Sequence, residues 1–295
     1  MNTAEMTARI AAAEGFIAAL DQSGGSTPKA LRGYGVEDSE WSGEDEMYAQ
    51  IHKMRSRVIT APSFASGKVI GAILFEKTMD GMVDGQTTAD ALKARGVVPF
   101  IKIDQGLEDE ADGVQLMKPL TKLDALLEKS VKHGMFGTKE RSVIKSANPA
   151  GIAAVVAQQF EVGNRVIDAG LMPILEPEYD ITAADRAEGE ELLKAEILKN
   201  LEAQPADRPV MLKLSIPVKP NLYKDLVDHP KVLSVVALSG GYSTDQACEE
   251  LAKNTGMIAS FSRGLLQDLR AGQSDAEFDA ALGAAIDQIA AASVA

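Results

Sequence analysis

Short apolar runs alternate with amphipathic stretches along the whole chain. The apolar runs are rich in β-branched residues and mostly continuous in apolarity, which is typical of strands covered on both faces of a parallel sheet. We predict eight strands, at residues 15–22, 69–76, 97–104, 135–144, 172–179, 209–215, 232–239 and 257–262. The stretches between them carry helical spacing, and we predict helices at 44–57, 120–132, 150–169, 187–203, 244–254 and 275–292.

The order of these elements indicates the fold class. Regular alternation of eight strands with helices favours a (β/α)8 TIM barrel, which is an α/β fold. A doubly wound open sheet is the alternative that the sequence does not exclude. Asn148-Pro149 and Thr27-Pro28 are typical of a helix N-cap followed by a proline in the first turn. No linker divides the chain, so we predict a single catalytic domain over residues 1–295.

Composition narrows the classes of partner. The net charge of −13 argues against non-specific binding to nucleic acid or to anionic membranes. Cys248 is the only cysteine, so no intramolecular disulfide forms. We find neither a signal peptide nor an apolar run long enough to span a bilayer. We therefore predict a cytoplasmic protein with no membrane or nucleic-acid partner.

Polar residues gather where the predicted strands end. In parallel barrels the chemistry lies at the C-terminal face, built from several strand ends. A single charge there is more often a solvated strand end than a catalyst, but this set brings several cations and carboxylates to one face. The residues are Asp21, Gln22, Ser23, Glu76, Lys102, Asp104, Lys139, Arg141, Glu176, Glu178, Lys213, Ser215 and Ser239. Period-two spacing puts Lys102 with Asp104, Lys139 with Arg141, and Glu176 with Glu178, on the same side of their strands.

Lys213 is the most informative of these residues, because it interrupts a strand that otherwise looks buried. Removing an amine from water favours its neutral form. A neutral lysine is a nucleophile that can form a Schiff base with a carbonyl. The sequence therefore predicts a covalent, amine-based chemistry at this strand end.

Two glycine-containing loops are candidate anion sites. The segment 239–243 follows the seventh strand and opens a helix, so its backbone N–H groups and the helix N-terminus favour an anion. A tight turn would use the same glycines. The segment from Ser23 to Ser26, with Lys29, is a second candidate, and a flexible loop that caps the following helix is an equally good interpretation.

Taken together and in order, these segments resemble the class I, Schiff-base-forming fructose-1,6-bisphosphate aldolases, of the shorter bacterial type. Similarity runs along nearly the whole chain. The segments that carry it are Ala-Leu-Asp21-Gln-Ser23-Gly-Gly-Ser26, Ile-Lys102-Ile-Asp104, Lys139-Glu-Arg141, Ile-Leu-Glu176-Pro-Glu178, Leu-Lys213-Leu-Ser, Leu-Ser239-Gly240-Gly241 and Ser-Phe-Ser262-Arg263-Gly264.

The resemblance implies a TIM barrel that cleaves fructose 1,6-bisphosphate to dihydroxyacetone phosphate and glyceraldehyde 3-phosphate, with no metal or other cofactor. It implies Lys213 as the Schiff-base lysine, Glu176 as the acid and base of imine formation, and Asp21 as the group that handles the C4 hydroxyl proton. Lys139 would be a cation beside the nucleophile. Substrate would be bound by Lys102, Arg141, Glu178, Ser23, Ser26, Ser239, Gly240, Gly241, Ser262, Arg263 and Gly264.

Three positions depart from the animal branch of that family. Gln22 stands where that branch has a glutamate, and Ala30 and Leu265 replace two phosphate-binding arginines. Arg263, two residues before Leu265, is the nearest substitute, although its side chain starts from a different place. Which cations hold each phosphate therefore stays open, as does a homo-oligomer, because the family includes tetramers and smaller forms.

Three other functions compete with this interpretation. A metal-dependent aldolase would need about three histidines around an open position, and His52, His133 and His229 fall in or beside helices. Another Schiff-base sugar-phosphate aldolase would share the lysine, but two anion sites favour a bis-phosphorylated substrate. An inactive barrel acting as a binding protein is allowed by the fold alone, yet it would have no physical need for a buried lysine and its acid partner.

Overall fold

The structure, a computed structural model, describes residues 1–294, so position 295 of the predicted domain lies outside the described residues. Its strands are β1 (Phe16–Leu20), β2 (Val69–Leu74), β3 (Met82–Val83), β4 (Gln86–Thr87), β5 (Val98–Lys102), β6 (Val114–Gln115), β7 (Gly137–Ile144), β8 (Met172–Tyr179), β9 (Val210–Ser215), β10 (Val232–Leu238) and β11 (Met257–Ala259). Its helices are α1 (Thr3–Ala11), α2 (Ser26–Tyr34), α3 (Gly43–Thr60), α4 (Glu76–Met79), α5 (Thr88–Ala94), α6 (Leu123–Lys132), α7 (Pro149–Asp168), α8 (Arg186–Ala203), α9 (Lys224–Val227), α10 (Thr244–Leu251), α11 (Arg263–Leu266) and α12 (Asp275–Ser293).

Eight of these strands form a nearly closed parallel barrel with helices between them. Their order around the barrel is β1-β2-β5-β7-β8-β9-β10-β11. Every neighbouring pair in that order is parallel. The TIM-barrel prediction is confirmed, the open-sheet alternative is wrong, and each of the eight predicted strands is a barrel strand.

The barrel closes between β11 and β1 without a paired ladder. The Ala19 amide donates to the Phe261 carbonyl oxygen at 3.2 Å just beyond β11. The amide of Ala259, inside β11, donates instead to the hydroxyl of Ser293 at the end of α12, at 3.0 Å. A hydrogen bond from the Gln22 side-chain amide to the Ser262 hydroxyl joins the segments that follow β1 and β11. We call this joint the seam.

Apolar side chains divide the molecule into two layers of core. Ile73, Phe100, Met211 and Val236 lie in the cluster that fills the barrel interior, and Ile10 of α1 packs with them. A larger cluster lies between the strands and the surrounding helices. Because apolar side chains fill the barrel interior away from the C-terminal strand ends, the polar residues of the interior lie at those ends.

The predicted helices are present, with differences at their ends. Asn148 caps α7, since its side chain accepts from the amides of Ala150 at 3.0 Å and Gly151 at 3.2 Å, and a proline follows it as predicted. The prediction for Thr27 is wrong, because α2 begins one residue earlier and Thr27 is buried inside it. The Ser26 hydroxyl bonds to Ser23 and closes the turn before Thr27 is reached.

Some elements do not follow from the sequence pattern. Three strands, β3, β4 and β6, have only two residues each, which is too short to show a period of two. β3 and β4 form a hairpin, and β6 pairs antiparallel to β7. The second barrel strand ends at Leu74, and Glu76, predicted at its end, begins α4 instead. Within residues 1–294, no helix has the length and apolarity needed to cross a bilayer.

Candidate active site

The C-terminal ends of β1, β7, β8 and β9 bring four predicted catalytic residues around one cavity of about 230 Å³. Asp21 follows β1, and Lys139, Glu176 and Lys213 lie on the other three strands. On β7 and β8 the alternation of side chains turns Arg141 and Glu178 toward the same cavity. The barrel therefore assembles residues that are almost two hundred positions apart in the chain.

One carboxylate bridges the two lysines. The Nζ atom of Lys213, whose side chain is only 5% exposed, lies 3.0 Å from Glu176 Oε1. The Nζ atom of Lys139 lies 3.0 Å from Glu176 Oε2 and 2.7 Å from Asp21 Oδ2. Asp104 Oδ2 is farther from Lys139, at 3.8 Å. We call Asp21, Asp104, Lys139, Glu176 and Lys213 the ion cluster.

The charges of the ion cluster act against burial. Burial alone would raise the pKa of Asp21, but Lys139, Lys213 and Lys102 outweigh it and hold that pKa well below its usual value. The same competition leaves the pKa of Glu176 lowered, with Lys139 and Lys213 as its main cationic neighbours. For Lys139, burial would lower the pKa, yet the surrounding carboxylates raise it. At neutral pH both carboxyls are therefore ionised and Lys139 is a fixed cation.

Hydroxyls, backbone and arginine line the rest of the cavity. Ser239 and Gly240 line it from the end of β10, with Ser262 and Arg263 from the segment after β11. Gly240 and Gly241 have positive φ of 60° and 128°, which a side chain would strain. A Cβ atom at Gly241 would lie 3.9 Å from the Arg263 guanidinium, so that cation stands beside the glycine turn.

Arg141 and Glu178 form the opposite wall as an ion pair. Burial would lower the pKa of Arg141, but Glu178, Glu176 and Asp104 raise it, so the guanidinium stays charged. Leu265 is buried in the core and contributes nothing to the cavity. Of Ala30, Arg263 and Leu265, the positions compared with the phosphate-binding arginines of the animal branch, Arg263 is the one that lines the cavity.

Five predicted substrate-binding residues do not line this cavity. Lys102 turns toward Asp104, with Nζ 2.7 Å from Asp104 Oδ1, and lines a neighbouring cavity of about 340 Å³. Ser23 and Ser26 satisfy each other, since the Ser26 hydroxyl donates to the Ser23 carbonyl and accepts from its amide. Gly241 and Gly264 lie behind the lining residues Gly240 and Arg263. The cavity with the ion cluster is the chemically equipped one, although its neighbour is larger.

Sequence reasoning missed two residues near the site. Ser260 lines the cavity, and its buried hydroxyl has no partner. Its spacing of two from Ser262 was an available signal. Arg55 of α3 is fully buried and donates to the Gln22 carbonyl at 2.6 Å, so it holds the seam from outside. Burial lowers the pKa of Arg55 to about 10 despite the opposing charge of Asp21. A lone arginine in a helical pattern gives no warning of such a role.

The histidines lie away from the cavity. His52 lies in α3, His133 directly after α6 and His229 after α9, as the sequence predicted. Within residues 1–294 no group of three or more histidine, cysteine, aspartate or glutamate side chains could hold a metal ion.

Comparison with known proteins gives a family match and similar solved structures. The family model for class I fructose-bisphosphate aldolase matches residues 2–229. A fructose-bisphosphate aldolase from Plasmodium falciparum, solved with TRAP and a small-molecule inhibitor, superposes with a TM-score of 0.75 at 18% identity, over 99% of this chain and 94% of that one. A sugar phosphate isomerase/epimerase from Parabacteroides distasonis reaches a TM-score of 0.46 at 13% identity, over 93% of this chain and 94% of that one.

Proposed function

The chain belongs to the class I fructose-bisphosphate aldolase family, and from that premise we propose that it cleaves fructose 1,6-bisphosphate reversibly to dihydroxyacetone phosphate and glyceraldehyde 3-phosphate through a Schiff base on Lys213. Members of this class use a lysine Schiff base and no metal. The observation that carries the proposal is the buried Lys213 amine, 3.0 Å from Glu176 at the floor of the cavity.

The reaction begins with attack of the Lys213 amine on the C2 ketone, which forms a carbinolamine. Glu176 exchanges protons with nitrogen and oxygen as water leaves and a protonated imine forms. This imine accepts the electron pair when the C3–C4 bond breaks, which a ketone does far less well. Asp21 takes the C4 hydroxyl proton as the aldehyde departs.

Lys139 supplies fixed positive charge to this sequence. It contacts Asp21 and Glu176, the two carboxyls that move protons. Because its amine stays protonated, both carboxyls are held ionised as bases until a substrate group offers a proton.

Phosphate groups bind at two walls. Ser239, Gly240 and Arg263 offer hydroxyl, backbone and guanidinium donors to one phosphate, and Arg141 offers a cation to the other. Binding a phosphate that does not react uses remote binding energy to orient the C3–C4 bond. Lys102, Ser23, Ser26, Gly241 and Gly264 complete this set if their segments move toward a bound sugar. We further propose one catalytic domain and a cytoplasmic role in glycolysis or gluconeogenesis.

Borohydride trapping tests the Schiff base directly. Treating the protein with dihydroxyacetone phosphate and borohydride should leave one covalent adduct, which peptide mass mapping places on Lys213. Lys213→Met should form no adduct and lose cleavage activity, while keeping its fold because Glu176 retains Lys139 as a partner. Lys219→Met, which removes a 73% exposed lysine side chain, is the matched control. Full activity in Lys213→Met would contradict the proposal.

Three rival functions are separated by simple assays. Faster turnover of fructose 1,6-bisphosphate than of fructose 1-phosphate supports the bisphosphate as substrate, and the reverse preference favours another Schiff-base sugar-phosphate aldolase. Activity that persists in EDTA argues against a metal-dependent reaction. A chain that forms no adduct and cleaves neither sugar would be an inactive binding protein.

A further inference from the structure

Glu140 is a fully buried carboxyl for which the reaction above has no use. It lies on β7 between Lys139 and Arg141, which face the cavity, so its side chain points to the opposite, outer face of the barrel. α7 covers that face, because Gln159 of α7 donates to the hydroxyl of Ser142, two residues farther along the same side. Neither carboxyl oxygen of Glu140 has a hydrogen-bond partner.

The surroundings of Glu140 oppose its ionisation. Burial is the largest influence on the pKa of Glu140, Asp104 and Glu176 add to it, and Lys139 acts against them; together they raise that pKa well above its usual value. These three charged groups come from the segment after β5, from β8 and from β7 itself. α7 presents the uncharged Gln159 beside Ser142. Burial and the neighbouring carboxylates therefore favour the uncharged form of Glu140.

Stability does not explain this residue. A buried polar group without a partner costs free energy, and an apolar side chain of similar shape would avoid that cost. Residues that break such a rule are expected at functional sites. The functional neighbour here is Lys139, which adjoins Glu140 in the chain and already faces Asp21, Asp104 and Glu176.

We propose that the buried Glu140 carboxyl, while it is protonated, is a positioning residue for the Lys139 ammonium. Loss of the Glu140 proton at alkaline pH then disables the ion cluster. An ionised Glu140 would be a fourth carboxylate around one ammonium. It would repel Asp104 and Glu176 and compete with them for Lys139, so that the proton-transfer groups lose their alignment. The inference rests on the proposed function, since that function makes these groups catalytic.

The pH dependence of kcat tests this role. Wild type should lose activity reversibly at alkaline pH as Glu140 ionises. In Glu140→Gln, an uncharged side chain of the same shape, that loss should move to higher pH by about one unit or more, the usual size of a pKa change in folded proteins. Thr138→Val is the matched control, because Thr138 is buried on the same face of β7, has an unpartnered hydroxyl and carries no charge. Its profile should follow that of wild type.

Two results would overturn the inference. One is an alkaline limb at the same pH in wild type and Glu140→Gln. The other is a folded Glu140→Gln protein with no activity at neutral pH, because that would mean that the charged form is the one required. If Glu140→Gln does not fold, Glu140→Met, also uncharged, is measured for the same shift.

An infrared measurement separates this inference from the proposed function. A protonated Glu140 should give a carboxylic-acid carbonyl band at neutral pH that is absent from Glu140→Gln. If wild type cleaves the bisphosphate but lacks the band, the inference fails and the function stands. If wild type shows the band but neither cleaves the sugar nor forms the adduct, the proposed function fails, while the uncharged state of Glu140 is established.

Discussion

Lys139 shows how few charges the site needs to control its chemistry. Three carboxylates surround this one ammonium, and Glu176 shares its two oxygens between Lys139 and Lys213. Removing either lysine leaves Glu176 with the other, whereas removing Glu176 leaves the Lys213 amine without its carboxylate. This geometry supports the proposal that protons reach the Lys213 amine through Glu176.

We predict that Glu176→Gln slows kcat by about 10²–10⁴-fold, the usual contribution of a positioned acid or base, while the Michaelis constant changes little. Glutamine keeps the shape but cannot take up a proton. Steady-state kinetics with the bisphosphate measures both constants. Glu178→Gln, two residues along the same strand face, is the comparison, and we expect it to act mainly on the Michaelis constant through Arg141. An effect of Glu176→Gln confined to the Michaelis constant would contradict an acid–base role.

Strand ends are the elements from which the site could be predicted. The eight apolar runs defined the barrel, and their polar ends supplied a wide set of candidate residues at one face. The resemblance to the class I aldolases then singled out Asp21, Lys139, Glu176 and Lys213 from that set. The burial of Glu140 could not be predicted, since Lys-Glu-Arg resembles a solvated run until α7 covers it. Period-two spacing placed Lys102 beside its partner Asp104. It could not show that Lys102 lines the neighbouring cavity, because that cavity is formed with side chains of α4 and α6.

At the scale of the loop after β10, we predict that Gly240→Ala raises the Michaelis constant for the bisphosphate. The backbone there has a φ of +60°, and a Cβ atom would lie 2.6 Å from Ile181 Cγ2, so the turn must shift. Gly272→Ala is the control, since a Cβ atom at Gly272 meets nothing within 4 Å. An unchanged Michaelis constant in Gly240→Ala would show that this turn does not hold a phosphate.

At the scale of the whole molecule, buried carboxyls pull stability in opposite directions with pH. The folded-state pKa values of Asp21 and Glu176 are lowered, so their contribution is present above the pKa values of the unfolded chain and is lost as acid protonates them. Burial raises the pKa of Glu140, so the folded state holds a proton that the unfolded chain releases above about pH 4.5. The contribution of Glu140 therefore falls as pH rises.

This opposition predicts a pH-dependent difference between two proteins. Glu140→Gln should gain stability relative to wild type as pH rises from about 4.5 toward 8, because glutamine has no proton to lose. Urea midpoints across that range measure the difference, with Thr138→Val as the reference for a change that involves no charge. A difference that stays constant with pH would mean that Glu140 ionises alike in the folded and unfolded states.

The seam is the one joint of the barrel, within residues 1–294, where neighbouring strands are not joined by a ladder of paired residues. Every other neighbouring pair of barrel strands has at least two paired residues. At the seam, the Ala19 amide donates to the Phe261 carbonyl oxygen, the Ala259 amide bonds to the Ser293 hydroxyl, and the Gln22 side chain bonds to Ser262. Because the seam has the fewest backbone hydrogen bonds, we expect the barrel to open there first. In hydrogen–deuterium exchange, the Ala19 amide should therefore exchange before the amides in the middle of β7. Asp21 and Ser262 lie on either side of the seam, so opening it would widen the entrance of the cavity for the proposed sugar substrate.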